Sequence, residues 1–413
     1  MHLLVISQYF WPEDFRINEL VAELVSRGHD VTVLTGRPNY PDGVVFPAFE
    51  KDPERFASYA GARVVRVPML ARGSGSFRMV LNYFSFAISA SIFGVLHFAR
   101  ARFDAIFVFE PSPVTVGLPA LALRSIHGWP IVFWVLDQWP ETLAAVGVIR
   151  SRKLLGVVGW LVRMIYAACA IILTSSRQLI PRIASYCRPG QRIEYFPNWA
   201  EAAYETESAD AAPEVAARPG VFNIMFAGNV GEAQDFPAIL SAAECLKGRA
   251  DIRWLIVGDG RMSPWVQSEV VRRGLTDRVI MLGRFPSERM PSFFQHADAL
   301  LVSLRPDPIF TLTAPGKIQS YLSFGLPVLA MLDGEGAALI QQSLAGLTGP
   351  AGDAKRLAEN VVQLTAMTAS ERSALGANGA AYAQREFDRS RLVDRLEVWL
   401  TEIAASRDTV GAR

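Results

Sequence analysis

Twice along its 413 residues the chain alternates short β-rich runs with stretches of helical period, and this alternation restricts its fold more than any other feature. In the first half, residues 3–6, 30–35, 63–68, 105–109, 130–136 and 170–174 read as strands. Between the first two, Phe15, Leu20, Val21, Leu24 and Val25 recur at helical spacing over 13–27, and Gly28 is placed to end that helix. Phe196-Pro197-Asn198-Trp199 then breaks the pattern, and an Ala- and Glu-rich stretch with Pro213 and Pro219 follows. Beyond residue 220 the same grammar restarts, with strands predicted at 223–227, 254–257, 279–282, 299–302 and 328–330. Strands separated by helices pair in parallel through right-handed crossovers. The expectation is an α/β chain of two Rossmann-like parallel-sheet domains facing a cleft, with ligands outside the carboxyl ends of the strands. The predicted boundaries are 1–198, a linker at 199–220, a second domain at 221–384, and a terminal helix at 385–413 carrying Leu392, Leu396 and Leu400.

Composition narrows the class. Apolar residues make up 51% of the chain and charged residues 20%, which excludes a disordered or acidic-tail protein. Cys169, Cys187 and Cys245 are too scattered for a disulfide framework or a zinc cluster, and they fit a reducing compartment. Met1-His2-Leu3-Leu4-Val5-Ile6 lacks a basic region and reads as a first strand, so no cleaved export signal is expected. The net charge of +1 hides an asymmetry: residues 1–200 carry 20 Lys and Arg against 14 Asp and Glu, and the remainder 21 against 26. A basic half of this size suggests an anionic surface or ligand, or else chance variation between two soluble halves. Residues 79–98 hold no formal charge and are flanked by Arg72, Arg78, Arg100 and Arg102. Residues 154–174 are similar but contain Arg163. Length alone allows the first stretch to span a bilayer; Asn82, Ser85, Ser89, Ser91 and His97 weaken that reading against a buried helix or one lying at an anionic membrane interface.

Three glycine turns follow successive strands of the second half. They are Gly228-Asn229-Val230-Gly231, Gly258-Asp259-Gly260-Arg261 and Gly283-Arg284-Phe285-Pro286. Glycine lets the backbone approach a phosphate, and a helix N-terminus supplies N–H donors; a plain strand–helix turn also likes glycine. Arg261 and Arg284 are candidates for a diphosphate or a base, although loop arginines are usually solvated. Pro315 and Gly316 look like a helix start, which puts Lys317 in a first turn where its charge opposes the helix dipole unless an anion binds nearby. In the first half, Asp137 and Glu110 each follow a strand, where a carboxylate suits activation of a hydroxyl, stabilisation of positive charge, or a simple helix cap. Glu13, Arg16 and Asn18 follow the first strand and are candidates for acceptor contacts, whereas His29 beside Gly28 reads as structural. No Asp-Xaa-Asp pair exists and the five His form no ligand pattern, so no metal is expected. Charge on any bound phosphate then falls to Lys317, Arg and helix dipoles.

The chain resembles GT-B glycosyltransferases of family 4, in particular the branch of bacterial O-antigen and capsule L-N-acetylfucosamine transferases. The resemblance rests on Ser7-Gln8-Tyr9-Phe10-Trp11-Pro12-Glu13, Gly28-His29-Asp30-Val31-Thr32-Val33, Asp137-Gln138-Trp139-Pro140-Glu141, Pro197-Asn198-Trp199, Gly228-Asn229-Val230-Gly231, Gly258-Asp259-Gly260, and Pro315-Gly316-Lys317 followed by Gly325-Leu326-Pro327. It implies sugar transfer from a nucleotide sugar with retained configuration and no required metal, and a terminal helix crossing back to the first domain. Many family members carry two Glu, eight residues apart, where this chain has Leu312 and Ser320. The second of those Glu usually holds the donor ribose; Glu335 is the candidate substitute, and Lys317 the main diphosphate cation. The expected donor set is Gly228, Asn229, Gly231, Gly258, Gly260, Arg261, Arg284, Lys317, Ser320 and Glu335, with Asp137, Glu110 and Lys317 catalytic. The expected donor is a UDP-sugar, with no other cofactor. The expected acceptor is a polyprenyl-diphosphate-linked saccharide at the cytoplasmic face of the inner membrane, and nucleic acid is not an expected partner. A nucleotide-sugar epimerase of the same fold and a catalytically silent binding subunit are the alternatives.

Overall fold

A computed structural model describes residues 1–73, 75–145, 149, 151–200 and 210–411. The chain divides into two compact units, Met1–Phe196 with Leu392–Arg413, and Pro197–Arg391.

The first unit is built on eight strands: β1 His2–Ile6, β2 Asp30–Thr35, β3 Ser58–Tyr59, β4 Ala62–Arg66, β5 Ala105–Glu110, β6 Ile131–Val135, β7 Cys169–Thr174 and β8 Ile193–Tyr195. Their order across the sheet is β3-β4-β2-β1-β5-β6-β7-β8. Every pairing is parallel except β3 with β4. Val5 sits level with Val33 on one side and Phe107 on the other. The central strands β2, β1, β5, β6 and β7 are buried on both faces, which is why most of them read as continuous apolar runs. β3 and β8 were not expected, because two or three residues are too few to show a period.

Helix Arg16–Ser26 buries Ile17, Leu20, Val21 and Leu24, and Gly28 takes a left-handed φ of +87° beyond its end. It begins three residues later than residue 13, because Glu13 is held in the preceding loop by backbone hydrogen bonds. The crossovers β4→β5, β5→β6 and β6→β7 all step the same way across the sheet, so the right-handed rule puts their helices on one face. These are Ser76–His97, Gly117–His127 and Arg152–Ala168; the first packs against the second and the second against the third. Helix Arg389–Gly411 joins this unit from Leu392 onward. There Leu392, Val393, Leu396, Trp399 and Leu400 are buried.

The second unit carries β9 Phe222–Ala227, β10 Ile252–Val257, β11 Val279–Gly283, β12 Ala299–Ser303, β13 Val328–Met331 and β14 Gly346–Gly349. All are parallel in the order β11-β10-β9-β12-β13-β14. Alternation along each strand separates two cores: Ile224, Phe226, Trp254 and Ile256 face one side, Met225, Ala227, Leu255 and Val257 the other. Of the linker expected at 199–220, residues 201–209 lie outside the described residues. The part after them belongs to the second core: Ala212 and Val215 are buried in it, and the Ala212 N–H donates to the Ser292 carbonyl at 3.0 Å.

Candidate functional site

In the second unit the strand order reverses at β9, which lies between β10 and β12. An open parallel sheet leaves a crevice at such a point, outside the carboxyl ends of its strands. A cleft of about 830 Å³ lies there, lined by Gly228, Asn229, Gly258, Asp259, Arg284, Phe285, Met290, Gly316, Lys317, Ser320 and Tyr321 among others. The turns after β9, β10 and β11 are tied in series. The Gly228 N–H donates to the Val257 carbonyl at 2.9 Å, and the Gly258 N–H to the Gly283 carbonyl at 2.7 Å. Gly228 and Gly258 have φ of +136° and +141°, and a Cβ on Gly258 would stand 1.8 Å from the Gly228 oxygen. No side chain fits there, so the two turns lie backbone on backbone.

Helix Lys317–Phe324 follows β12, and Gly316 at its N-cap lines the cleft. Tyr321 fastens this helix to β9: its hydroxyl accepts from the Ala227 N–H at 2.9 Å and lies 3.1 Å from the Ala227 carbonyl. Lys317 is half-buried along its stem, but its Nζ is covered and has no hydrogen-bond partner. The ammonium rests 3.8 Å from the Phe226 ring centroid and 3.0 Å from the point where a Gly228 Cβ would stand. Burial pushes its pKa down to about 7. A buried cation with no hydrogen-bond partner, beside a helix N-terminus and two glycine turns, is a site short of an anion.

Of the sequence-derived donor residues, Gly228, Asn229, Gly258, Arg284, Lys317 and Ser320 therefore come together in one cleft. Gly231, Gly260, Arg261 and Glu335 do not line it. Gly231 and Gly260 instead make room for the Asn229 side chain, whose amide atoms lie 2.6 Å from the Cβ position of each. The Gly260 N–H is also spent on Asp259 Oδ1 at 2.8 Å and Ser263 Oγ at 2.9 Å. Arg261 is exposed. Glu335 is buried at the start of helix Glu335–Ser343, where its N–H donates to the Thr311 carbonyl at 2.8 Å. The sequence reading missed Tyr321 and Phe226, since an aromatic residue in an apolar run gives no sign that it holds a cation or a neighbouring strand.

In the first unit the candidates gather at the ends of β1, β5 and β6, but most face inward. The Glu13 carboxylate accepts from the N–H groups of Phe10 at 3.1 Å, Asn39 at 2.7 Å and Tyr40 at 2.7 Å. Burial nevertheless raises its pKa to about 7, outweighing those three donors. Asn18 spans the same loop, donating to the Glu13 carbonyl at 2.6 Å and accepting from the Trp11 N–H at 3.1 Å. Arg66, not foreseen, donates to the Gly36 carbonyl at 2.8 Å and to that of Trp11; burial lowers its pKa to about 10. Glu13 and Asn18 thus organise loops rather than present themselves to a ligand, and Arg16 pairs with Glu19 at 3.4 Å.

Glu110 is completely buried, which pushes its pKa well above the usual carboxylate range, and the neighbouring Asp137 charge adds to the rise. It lies inside the fold, with Oε2 3.4 Å from the Asp137 N–H, and does not reach the surface. Asp137 is half-buried; its carboxylate accepts from Thr142 Oγ1 at 2.6 Å and Trp139 Nε1 at 3.1 Å. Both partners are side chains, so Asp137 is not acting as a backbone cap. His29 is structural, with Nε2 2.7 Å from Glu397. Among the described residues no three His, Cys, Asp or Glu come together as metal ligands.

Comparison with known proteins agrees with this architecture. Residues 15–199 match the model of the glycosyl transferase 4-like domain, and 221–367 that of glycosyl transferases group 1. WcaI of Escherichia coli (strain K12), named as a candidate colanic acid biosynthesis glycosyl transferase, is 24% identical over 345 residues, covering 79% of this chain and 82% of that protein. Sucrose-phosphate synthase from Thermosynechococcus elongatus superposes with a TM-score of 0.72 at 15% identity, over 98% of this chain and 99% of the other. Anabaena HepE in complex with UDP and glucose superposes with a TM-score of 0.65 at 14% identity, over 97% and 100%. With the two matched domains in this order on two parallel-sheet units, the chain is a GT-B glycosyltransferase of the family 4 type.

Proposed function

We propose that the protein is a retaining, metal-independent glycosyltransferase. It moves a sugar, N-acetylated amino or deoxy, from a UDP-sugar to a polyprenyl-diphosphate-linked saccharide in the synthesis of a surface polysaccharide such as O-antigen or capsule. The observation that carries the donor side is the covered Lys317 Nζ, with no hydrogen-bond partner, facing a glycine-walled cleft. HepE, of the same fold, binds UDP, and the name of WcaI points to polysaccharide biosynthesis. The free cysteines fit a reducing compartment, and we assign the reaction to the cytoplasm.

In this reading the diphosphate lies over the Gly228 and Gly258 turns with Lys317 and the N-terminus of helix Lys317–Phe324 against its charge. Arg284 and Ser320 hold the remainder of the nucleotide. The acceptor hydroxyl attacks the sugar carbon on the face that the diphosphate leaves. The new carbon–oxygen bond forms as the carbon–phosphate-oxygen bond breaks, and the acceptor proton passes to the departing phosphate oxygen. Asp137 is the carboxylate we assign to the acceptor side.

The test is mass spectrometry of lipid-linked products from a panel of nucleotide sugars, with and without EDTA, followed by NMR of the new linkage. A transferred sugar with retained anomeric configuration and EDTA-insensitive turnover is expected. An inverted anomer, or activity abolished by EDTA and restored by added metal, overturns the mechanism. Isomerisation of a UDP-sugar without acceptor identifies an epimerase instead.

A further inference from the structure

Among the described residues, one helix is long and apolar enough to cross a membrane. It contains Arg78–His97, and only 33% of that window is buried. A core helix of this composition would be covered on most sides. Here the covered side is narrow, made by Asn82, Tyr83, Phe86, Ala87 and Ala90. The opposite side presents Leu81, Phe84, Ile88, Ile92 and Leu96, three or four residues apart, with Ile88 58% and Leu96 69% exposed. The apolar surface does not stop at this helix. On the same face of the sheet, helix Arg152–Ala168 turns Leu154, Val157 and Trp160 outward, and Ile126 of the helix between them is exposed too. Isolated exposed apolar residues are ordinary, but rows of them on two helices of one sheet face, with Ile126 exposed on the helix between, mark an interaction surface.

Charge decides what covers it. The chain has no Asp or Glu from 55 to 103, from 111 to 136, or from 142 to 193, the segments that contain all three helices. Arg78, Arg100, Arg102, Arg152 and Lys153 are exposed around the apolar side chains. A second copy of the chain would bring these like charges together, whereas anionic lipid headgroups complement them. Spanning is opposed by the inner side of the helix. Asn82 Oδ1 accepts from Gln8 Nε2 at 2.7 Å and from the Tyr9 hydroxyl at 3.0 Å, and its amide donates to the Leu70 carbonyl at 2.6 Å. Withdrawing the helix into a bilayer would strand that buried network.

We propose that this three-helix face docks on the surface of an anionic bilayer. The outward side chains of Ser76–His97 and Arg152–Ala168 sit at the acyl boundary, and the flanking Arg and Lys sit at the lipid phosphates.

The test is co-sedimentation of the full chain with vesicles of phosphatidylcholine alone or mixed with phosphatidylglycerol, at low and high salt. Binding to the mixed vesicles is expected to exceed binding to phosphatidylcholine by more than about tenfold at low salt, since several basic residues act together at an anionic surface. The double variant Ile88→Asp with Ile92→Asp should lose this binding, and Arg100→Glu with Arg102→Glu should lose most of its preference for phosphatidylglycerol. Both should keep the melting transition of the first unit in calorimetry, which reports that the unit carrying these residues is intact. Equal binding by the Asp variant overturns the proposal, as does indifference to phosphatidylglycerol. A dimer in sedimentation equilibrium that the Asp variant dissociates would show a second copy as the occupant. Resistance of native membranes to carbonate extraction of the protein would show spanning.

Discussion

Lys317 is an expensive residue for the ligand-free protein. Its pKa of about 7 against an ordinary 10.5 means the unfolded chain binds the proton more tightly. The cost of burying the charge is therefore fully present below pH 7 and disappears as pH rises toward 10.5. Lys317→Met should raise the Tm of the free protein below pH 7 by a few degrees, at roughly 2–4 °C per kcal/mol, and should abolish the UDP-induced rise, both read by calorimetry. In the wild type, a bound diphosphate returns the counter-charge and raises the lysine pKa, so UDP binding should take up a proton above pH 7. Affinity should then fall with rising pH, by at most about tenfold per unit, in titration calorimetry run in buffers of different ionisation enthalpy. If Lys317→Ala leaves donor affinity within about twofold, the phosphate assignment is wrong. Glu110 has the opposite sign. Its folded pKa lies above the unfolded value, so stability falls as pH rises from about 4.5 through the folded pKa. Glu110→Gln keeps the shape and cannot ionise, so its Tm should gain on the wild type as pH is raised across that window.

At the scale of elements, the glycine turns hold the cleft open. Gly258→Ala would drive a Cβ to 1.8 Å from the Gly228 oxygen in a backbone conformation that favours glycine, so the first two turns must separate. UDP affinity should fall by more than about tenfold in titration calorimetry, the equivalent of at least about 1.4 kcal/mol; retention of wild-type affinity would show that those turns do not shape the site. Most of this level was readable in the sequence. The longer strands announced themselves because both their faces are buried, and the three turns because glycine followed each strand. Lys317 was legible as a charge at the wrong end of a helix dipole. What the sequence withheld was direction. Glu13 stands after a strand, Asn18 in the helix beyond it and Glu110 at a strand's end, places where ligand-facing groups also stand, yet they bond to backbone or lie buried, since residue type and spacing do not say which way a side chain turns. Gly231 and Gly260 make room for the Asn229 side chain and Glu335 is buried at a helix start, placements that residue type and spacing do not announce. The short strands β3 and β8 carry too few residues for a period to show, and β14 is Gly-Leu-Thr-Gly, with a weak strand former at each end.

At the scale of the molecule, the first unit is assembled from two pieces of chain. Its terminal helix is held by Glu397 against Arg27 at 2.8 Å and His29 at 2.7 Å, by Asp394 against Arg27 at 2.5 Å, and by Glu402 against Arg192 at 2.6 Å. The Arg395 guanidinium donates to the Tyr195 carbonyl at 2.8 Å, and Trp399 meets Phe196 edge to face at 6.2 Å between centroids. The surface ion pairs contribute little each, whereas Leu392, Leu396 and Leu400 each bury a side chain at about 1.5–3 kcal/mol before ordering entropy. Removing residues 392–413 should lower the melting transition of the first unit by more than 10 °C in calorimetry. It should leave a transition that UDP still raises, because the cleft belongs wholly to the second unit. A single transition that UDP no longer shifts would refute that division.

This discontinuity also sets an order of events during synthesis. The ribosome delivers the opening sheet first, then the whole second unit, and only then the segment that seals the first. Until that helix emerges, each nascent copy leaves Tyr195 and Phe196 without the Arg395 and Trp399 contacts that cover them.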